Sequence, residues 1–333
     1  MRAILISVLA FTLPTLTVDA AAMDSGWLPL RDQNPFTLGS GLPLLPPPSA
    51  RTGEWIVDAS MLESNTQLIS STPGRRPGDP GIHVLFGAET RETRLSLAYA
   101  LDKHWTARAS LGDEWIGVGF LDKPIQHFHK LIGAPRGFRG GRLGVSLPAI
   151  RVTRDGETLY TLDRPGQAPA PLLLDLTRSW DMPNERYGLS FGAKLPTGDT
   201  KRLSDTGDTG ISIAGFGEWI LHDTIRVGAR LGYLYSHGND VLPTLARNSV
   251  PFGDVYVRAP LLWHWDGELQ YDAHGALYSH GPIFLGHAGT LTIGIAHPLG
   301  KRSELLLGVA EDVPIGNTQD VSLLVALRYR PGG

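Results

Sequence analysis

The sequence predicts an all-β protein, an antiparallel transmembrane β-barrel of about twelve strands, within a range of ten to fourteen, with short periplasmic turns, long extracellular loops and a short loop helix. Three observations predict it. Segments alternating apolar and polar residues run longer than the strands of globular proteins, connections of two sizes alternate along the chain, and the polar face carries charges of both signs. A soluble β-sandwich shows the same period of two. The choice between them rests on strand length, on the alternation of turns with loops, and on aromatics such as Trp105, Trp219, Trp263, Trp265 and Tyr329 near strand ends, where a membrane interface holds them.

The chain opens with Arg2, an apolar run over residues 3–16, and then Ala20, Ala21 and Ala22. That run is shorter than the roughly 18 apolar residues a spanning helix needs, so residues 1–22 read as a secretory signal peptide cleaved after Ala22. Residues 23–52 form an N-terminal segment, periplasmic or lumenal. Asn34, Pro35 and the prolines 46, 47 and 48 break any strand there, yet the segment is too apolar for a freely solvated tail. It reads as a plug or latch in the lumen, or as an extension packed against the barrel base. The barrel itself is assigned to residues 53–330.

Residues 82–101 have an apolar phase that shifts between Phe86 and Leu95, and a β-bulge is expected there. Between residues 224 and 235, Ile225, Val227, Ala229, Leu231, Tyr233 and Tyr235 face one way, opposite Arg226, Gly228, Arg230 and Gly232. Val255, Val257, Ala259, Leu261, Trp263 and Trp265 repeat the pattern, which places the next turn at Asp266 and Gly267. Other short turns fall at residues 102–104, 182–184, 222–223 and 300–302. Long polar connections rich in Gly and Pro span residues 63–80, 114–166, 196–208 and 237–251, with shorter ones near Gly281 and Gly316. The last strand sets Val321, Leu323, Val325, Leu327 and Tyr329 against Ser322, Leu324, Ala326, Arg328 and Arg330.

The inward face supplies the lumen-lining candidates. Arg108, Arg186, Lys194, Arg226, Arg230, Arg258 and Arg328 stand against Asp175, Glu218, Asp254, Glu268, Asp272, Glu304 and Asp312, with His274 among them, so the signs balance. The whole chain is equally balanced, with a formal charge of -3 over 333 residues, which argues against a nucleic-acid-binding surface. Cysteine is absent, which removes disulfides, thiolate metal sites and cysteine nucleophiles. No cofactor is expected.

Two boxes carry a family resemblance: RDQNPF at residues 31–36, and GFLDKPIQHFH at residues 119–129 followed by LIG at 131–133 and by Arg139. Together they resemble an uncharacterised proteobacterial domain family, catalogued as a domain of unknown function, and the resemblance spans the mature chain. It implies an outer-membrane barrel and no particular reaction. KLPTGD at residues 194–199 is similar to a strand-to-loop corner shared by several outer-membrane barrels, and the closing strand is similar to their C-terminal recognition strand, although Arg330, Pro331, Gly332 and Gly333 follow Tyr329 here.

Residues 124–133 fit an amphipathic loop helix with Ile125, Phe128 and Ile132 on one side, which makes Asp122, His127, His129 and Arg139 loop-constriction candidates. Side chains two apart on a helix diverge by about 200°, which speaks against joint metal ligation by the two histidines. Asp-Thr-Gly occurs at residues 205–207 and 208–210, too close together to form an aspartic-protease pair, and Asp199, Asp205 and Asp208 are weak calcium candidates. Gly188, Ser190 and Gly192 match the G-x-S-x-G elbow, but inside an alternating strand, where no nucleophile corner forms.

The expectation is a monomer in the outer membrane of a Gram-negative bacterium, in contact with lipid and lipopolysaccharide and assembled by the barrel machinery through its last strand. Its first functional reading is a narrow channel or passive transporter for a small solute. A barrel of this size is also narrow enough to be filled by paired side chains, which makes a closed structural or interaction barrel with partner-binding loops the alternative. A membrane-embedded lipid-modifying enzyme is the second alternative.

Overall fold

The alternating segments become strands that are apolar outside and polar inside. The computed structural model describes residues 26–72, 81–121, 123–125, 127, 130, 148–222 and 224–331. The signal-peptide segment and the loop candidates Asp122, His129 and Arg139 lie outside the described residues.

One antiparallel sheet contains β1 (Trp55–Ser71), β2 (Ile82–Ala100), β3 (Trp105–Gly117), β4 (Ala149–Arg154), β5 (Glu157–Leu162), β6 (Gly166–Pro169), β7 (Leu172–Met182), β8 (Glu185–Leu195), β9 (Thr209–Leu221), β10 (Ile225–His237), β11 (Ser249–Pro260), β12 (Asp266–His274), β13 (Ala288–Pro298), β14 (Ser303–Asp312) and β15 (Val321–Tyr329). The sheet closes because β1 pairs on one side with β2 and on the other with β15, where Val57 faces Leu97 and Tyr329 respectively. β4, β5 and β6 belong to the second long connection. β4 pairs with the loop-end half of β2, β5 with β4, and β6 with the loop-end half of β3. Twelve strands therefore make the closed barrel.

Outward side chains are exposed and apolar, among them Leu97, Leu176, Leu189, Leu231, Ile293 and Leu327. Their inward neighbours are buried and mostly polar. This inversion of a soluble core is the signature of an outer-membrane-type barrel, whose outer face is solvated by lipid.

The structure corrects three sequence expectations. β2 has no bulge: its register against β1 and β3 is unbroken. Val84, Phe86, Ala88, Glu92, Ser96 and Ala98 all lie buried on one face. The apparent phase shift records a change of environment along that face, from an apolar cap at the loop end to a polar lumen below. The turn expected at Asp266 and Gly267 comes earlier, over residues 261–265. Leu261 N–H and Trp265 C=O close it, and Trp263 and His264 adopt left-handed backbone conformations. Finally, β1 and β3 extend well into the spans assigned to long connections, because the polar residues 63–71 pair along their length with β2.

At the loop end, Phe86, Val152, Leu203, Leu234, Leu242, Leu245, Val250, Leu277 and Phe284 build an apolar cluster around Phe36. Phe36 belongs to the N-terminal segment, which places that segment inside the barrel.

Candidate functional site: the occupied lumen

Residues 26–50 form a re-entrant hairpin in the lumen. One arm rises from Trp27, packed edge-on to Tyr256 at a centroid distance of 4.5 Å, toward the loop end. The chain turns through α1 (Pro35–Leu38), and a second arm descends over residues 41–50 to β1. Asn34 and Pro35 are a helix-start pair. The Asn34 side chain accepts from Phe36 N–H at 3.1 Å, and proline at the first helical position gives up a backbone donor that has no use there. Gly41 takes φ +66 against the Lys194 stem, a turn that a β-carbon would strain and obstruct.

Every charged or amide side chain of the RDQNPF box has a partner. Arg31 Nη2 lies 3.2 Å from Asp254 Oδ1 and its Nε 3.8 Å from Asp272 Oδ1, and it donates to the carbonyl of Pro43 on the other arm. Asp32 meets His274 Nε2 at 2.7 Å and accepts from Thr318. Gln33 N–H donates to Gln319 Oε1 at 2.8 Å, and Asn34 Nδ2 donates to Phe284 O at 2.9 Å. The Phe36 carbonyl accepts from the Tyr278 hydroxyl at 3.0 Å; burial pushes the Tyr278 pKa up, so it remains a donor.

Below the box, Leu28 and Leu30 pack on Leu62, Ala296, Leu306, Ala310, Leu324 and Ala326 of the wall. Gly294 makes room for them, since a β-carbon there would collide with Leu28. Gln270 clasps the Leu28 backbone, accepting from its N–H at 3.0 Å and donating toward its carbonyl at 3.2 Å. The descending arm is held differently. Arg230 donates to Leu44 O at 2.6 Å, Arg108 to Leu45 O at 2.7 Å, Arg186 to Pro47 O at 2.8 Å, and Arg330 to Ser49 O at 3.0 Å.

The lumen-lining candidates face inward and pair across strands. Arg108 meets Asp175 at 3.3 Å, Arg186 meets Glu218 at 2.9 Å and Arg230 meets Asp254 at 2.6 Å. Nearer the turn rim, Arg258 and Arg328 both grip Glu304, at 2.6 and 3.1 Å, and Arg226 is half-buried beside them. Glu268 accepts from Leu28 N–H at 3.2 Å, and Asp312 caps Gly316 at the loop rim. Lys194 places its ammonium between Asp205, at 2.8 Å, and Asp208. The calcium candidates Asp205 and Asp208 thereby share one lysine, while Asp199 caps a single helical turn at Lys201 N–H. No group of three or more His, Asp or Glu among the described residues is arranged to hold a metal ion. Ser190 lies mid-strand with its hydroxyl 3.0 Å from Thr177 Oγ1, and His127 is exposed in its loop.

Sequence reasoning missed several participants. Arg31, Asp32 and Gln33 stood out only as a box; Gln270 sits between Glu268 and Asp272 on the same inward parity and was legible from it. Glu89 was not legible. Its carboxylate accepts from Phe120 and Leu121 N–H, both at 2.7 Å, and leaves no room for a side chain at Gly119, which explains the start of the second box. Glu114, buried opposite Glu92, accepts no hydrogen bond at either oxygen.

Between the hairpin and the wall of β1–β3 remains a cavity of about 110 Å³, reached by Arg31, Asp58, Glu92, Arg94, Arg108 and Arg328. It has room for several waters or a small polar solute.

A family model described as "Protein of unknown function (DUF3187)" matches residues 3–331. The chain belongs to this family. No curated protein matches it. Among solved structures, the COG4313 outer membrane channel from Pseudomonas putida F1 is similar in fold, with a TM-score of 0.55 at 10% identity over 84% of this chain and 96% of that one. The NanC porin aligns with a TM-score of 0.48 at 9% identity over 82% and 98% of the two chains. The KdgM porin aligns at 0.43 and 6% identity over 82% and 98%. At 10% identity the likeness to the channel from Pseudomonas putida F1 is one of fold.

Proposed function

We propose that this member of the family is a narrow outer-membrane channel or passive transporter for a small solute, held shut by its N-terminal hairpin. One observation carries the reading: between its apolar anchors at Leu28, Leu30 and Phe36, the segment that fills the lumen is joined to the wall by many hydrogen bonds and ion pairs, beside a polar cavity of about 110 Å³. A permanent core would be apolar and close-packed; polar contacts can be exchanged for water and for solute. The channel described for the similar barrel from Pseudomonas putida F1 agrees with this reading.

In this proposal the chain is exported through a signal peptide cleaved after residue 22 and assembled as a monomer through β15, and its outer face meets lipid and lipopolysaccharide. The turns are periplasmic and the loops external. The hairpin then enters from the periplasm, and its tip touches the external cap.

A second reading, a closed interaction barrel, is favoured by the pairing of most wall arginines with carboxylates. Single-channel recording in planar bilayers separates the two. Stable steps are expected from a variant lacking residues 27–48 and from the full-length Gly294→Leu variant, with rare or no steps from the native chain. Silence in all three, with folding verified by heat-modifiable gel migration, excludes the channel.

A further inference from the structure

Asp254 and Asp272 stand directly opposite each other on β11 and β12, both buried. Two carboxylates so placed repel each other unless they share a proton or a cation lies beside them. Arg230 meets Asp254 through Nε at 2.6 Å, and its other contacts are the Leu44 carbonyl and the Phe252 ring, so no wall cation among the described residues is in ion-pair contact with Asp272. Asp272 receives one hydrogen bond, from Gln270 at 2.9 Å, and its other oxygen accepts none. The remaining charge is met by Arg31, which comes from the hairpin and not from the wall. Its guanidinium lies at ion-pair distance from both carboxylates, 3.2 and 3.8 Å, and shares the Phe252 ring with Arg230, at 5.5 and 5.0 Å from the centroid.

Paired carboxylates beside an aromatic face make a site for a planar organic cation. A guanidinium satisfies it best, because several coplanar donors reach two acceptors while the π-face attracts the charge. Arg31 is also one of the residues lining the cavity. A solute in that cavity therefore meets the very group whose place it could take.

We propose that Asp254, Asp272 and Phe252 form a recognition site for guanidinium-bearing solutes, that Arg31 occupies this site as a built-in competitor, and that such a solute loosens the hairpin by displacing it. The inference rests on the channel reading for its physiological sense, but the site is tested without measuring conduction. A ligand shifts an equilibrium only by its differential affinity, and here the difference is direct: the site is open to solute only when Arg31 has left it.

The absence of cysteine makes the test clean. In the full chain carrying Ser40→Cys, a buried position at the hairpin tip, the rate of labelling by a membrane-impermeant maleimide reports hairpin release. Methylguanidinium in the millimolar range is expected to raise that rate several-fold and saturably. Sodium or tetramethylammonium at equal ionic strength is expected to leave it unchanged. The joint replacement Asp254→Asn and Asp272→Asn is expected to abolish the response.

A second measurement covers the case in which the label perturbs the tip. Arg31→Ala is expected to lower the unfolding temperature, and methylguanidinium, but not tetramethylammonium, to restore part of the loss. Should Arg31→Ala not fold, Arg31→Lys provides the same comparison. No response to methylguanidinium in either measurement, or an equal response to sodium, overturns the site. Bilayer silence with an intact methylguanidinium response overturns the channel and leaves the site standing. Channel steps without that response do the reverse.

Discussion

The two arms of the hairpin are held by opposite chemistry. The rising arm is recognised largely through its side chains, Arg31 by Asp254 and Asp272, Asp32 by His274, Gln33 by Glu92, and Leu28 and Leu30 by an apolar strip, with Gln270 and Gln319 holding its backbone. The descending arm, rich in Leu and Pro, packs Leu42 on the loop-end cluster and Leu45 beside Tyr256, and its polar contacts are mostly carbonyl oxygens taken up by arginines of the wall. Proline has no N–H, so a proline-rich coil segment buried in a polar lumen has few donors to satisfy and many acceptors. The contrast teaches that position is specified on one arm and tolerated on the other. Sequence change is therefore expected to matter mainly on the first.

The strongest challenge to this contrast is Arg31→Ala. It leaves buried Asp272 without its cation while Asp254 keeps Arg230, and is expected to destabilise the docked hairpin by about 3 kcal/mol, read from urea unfolding in detergent. Gly294→Leu attacks the same arm through packing. Because it fills the space of Leu28, a loss of about 1–3 kcal/mol and faster labelling of a cysteine at position 40 are expected. On the descending arm, Pro47→Ala keeps the carbonyl that Arg186 uses, and a change of less than about 1 kcal/mol is expected, arising in the unfolded chain. An effect there as large as that of Arg31→Ala would break the comparison.

Smaller effects sharpen it. Glu114→Gln touches neither arm but removes an ionisable group that is buried without a hydrogen bond directly opposite Glu92, and a gain of a few tenths of a kcal/mol to about 1 kcal/mol is expected. Asp102, in the turn between β2 and β3, serves as a control outside the lumen. It accepts from the N–H groups of His104 and Trp105 at 2.7 and 2.8 Å, and those bonds hold its pKa below the ordinary 3.8. A carboxyl lowered in the folded state stabilises fully above its unfolded pKa and loses that contribution as pH falls through the folded one. The turn is thus expected to weaken only under acid, and Asp102→Asn to remove that slope from the unfolding profile without altering hairpin labelling.

The barrel was largely legible in the sequence because a strand's period of two survives any tertiary environment. Charges at Arg108, Arg186, Arg230 and Asp254 fall on one parity, and parity alone puts them inside once the outer face is apolar. Where this reasoning failed, the environment had changed along one face. Val84, Phe86 and Ala88 are inward and apolar because a cap sits above the lumen, and periodicity read that change as a bulge. The turn at residues 261–265 was misplaced because Leu261, Trp263 and Trp265 continue a strand-like alternation, and only the left-handed backbone at Trp263 and His264 shows where the strand stops.

By itself, then, the sequence determined strand direction, inside and outside, the balance of lumenal charge and the absence of thiol chemistry, since these follow from local period and composition. It also marked RDQNPF as special. Only the tertiary structure decided what that box is for. Arg31 meets Asp254 and Asp272 across more than two hundred residues of chain, and no spacing rule links a coil segment to a strand face it approaches from inside a closed barrel. Which carboxylates remain free for a solute depends on which ones the hairpin occupies, and that is fixed by packing in three dimensions.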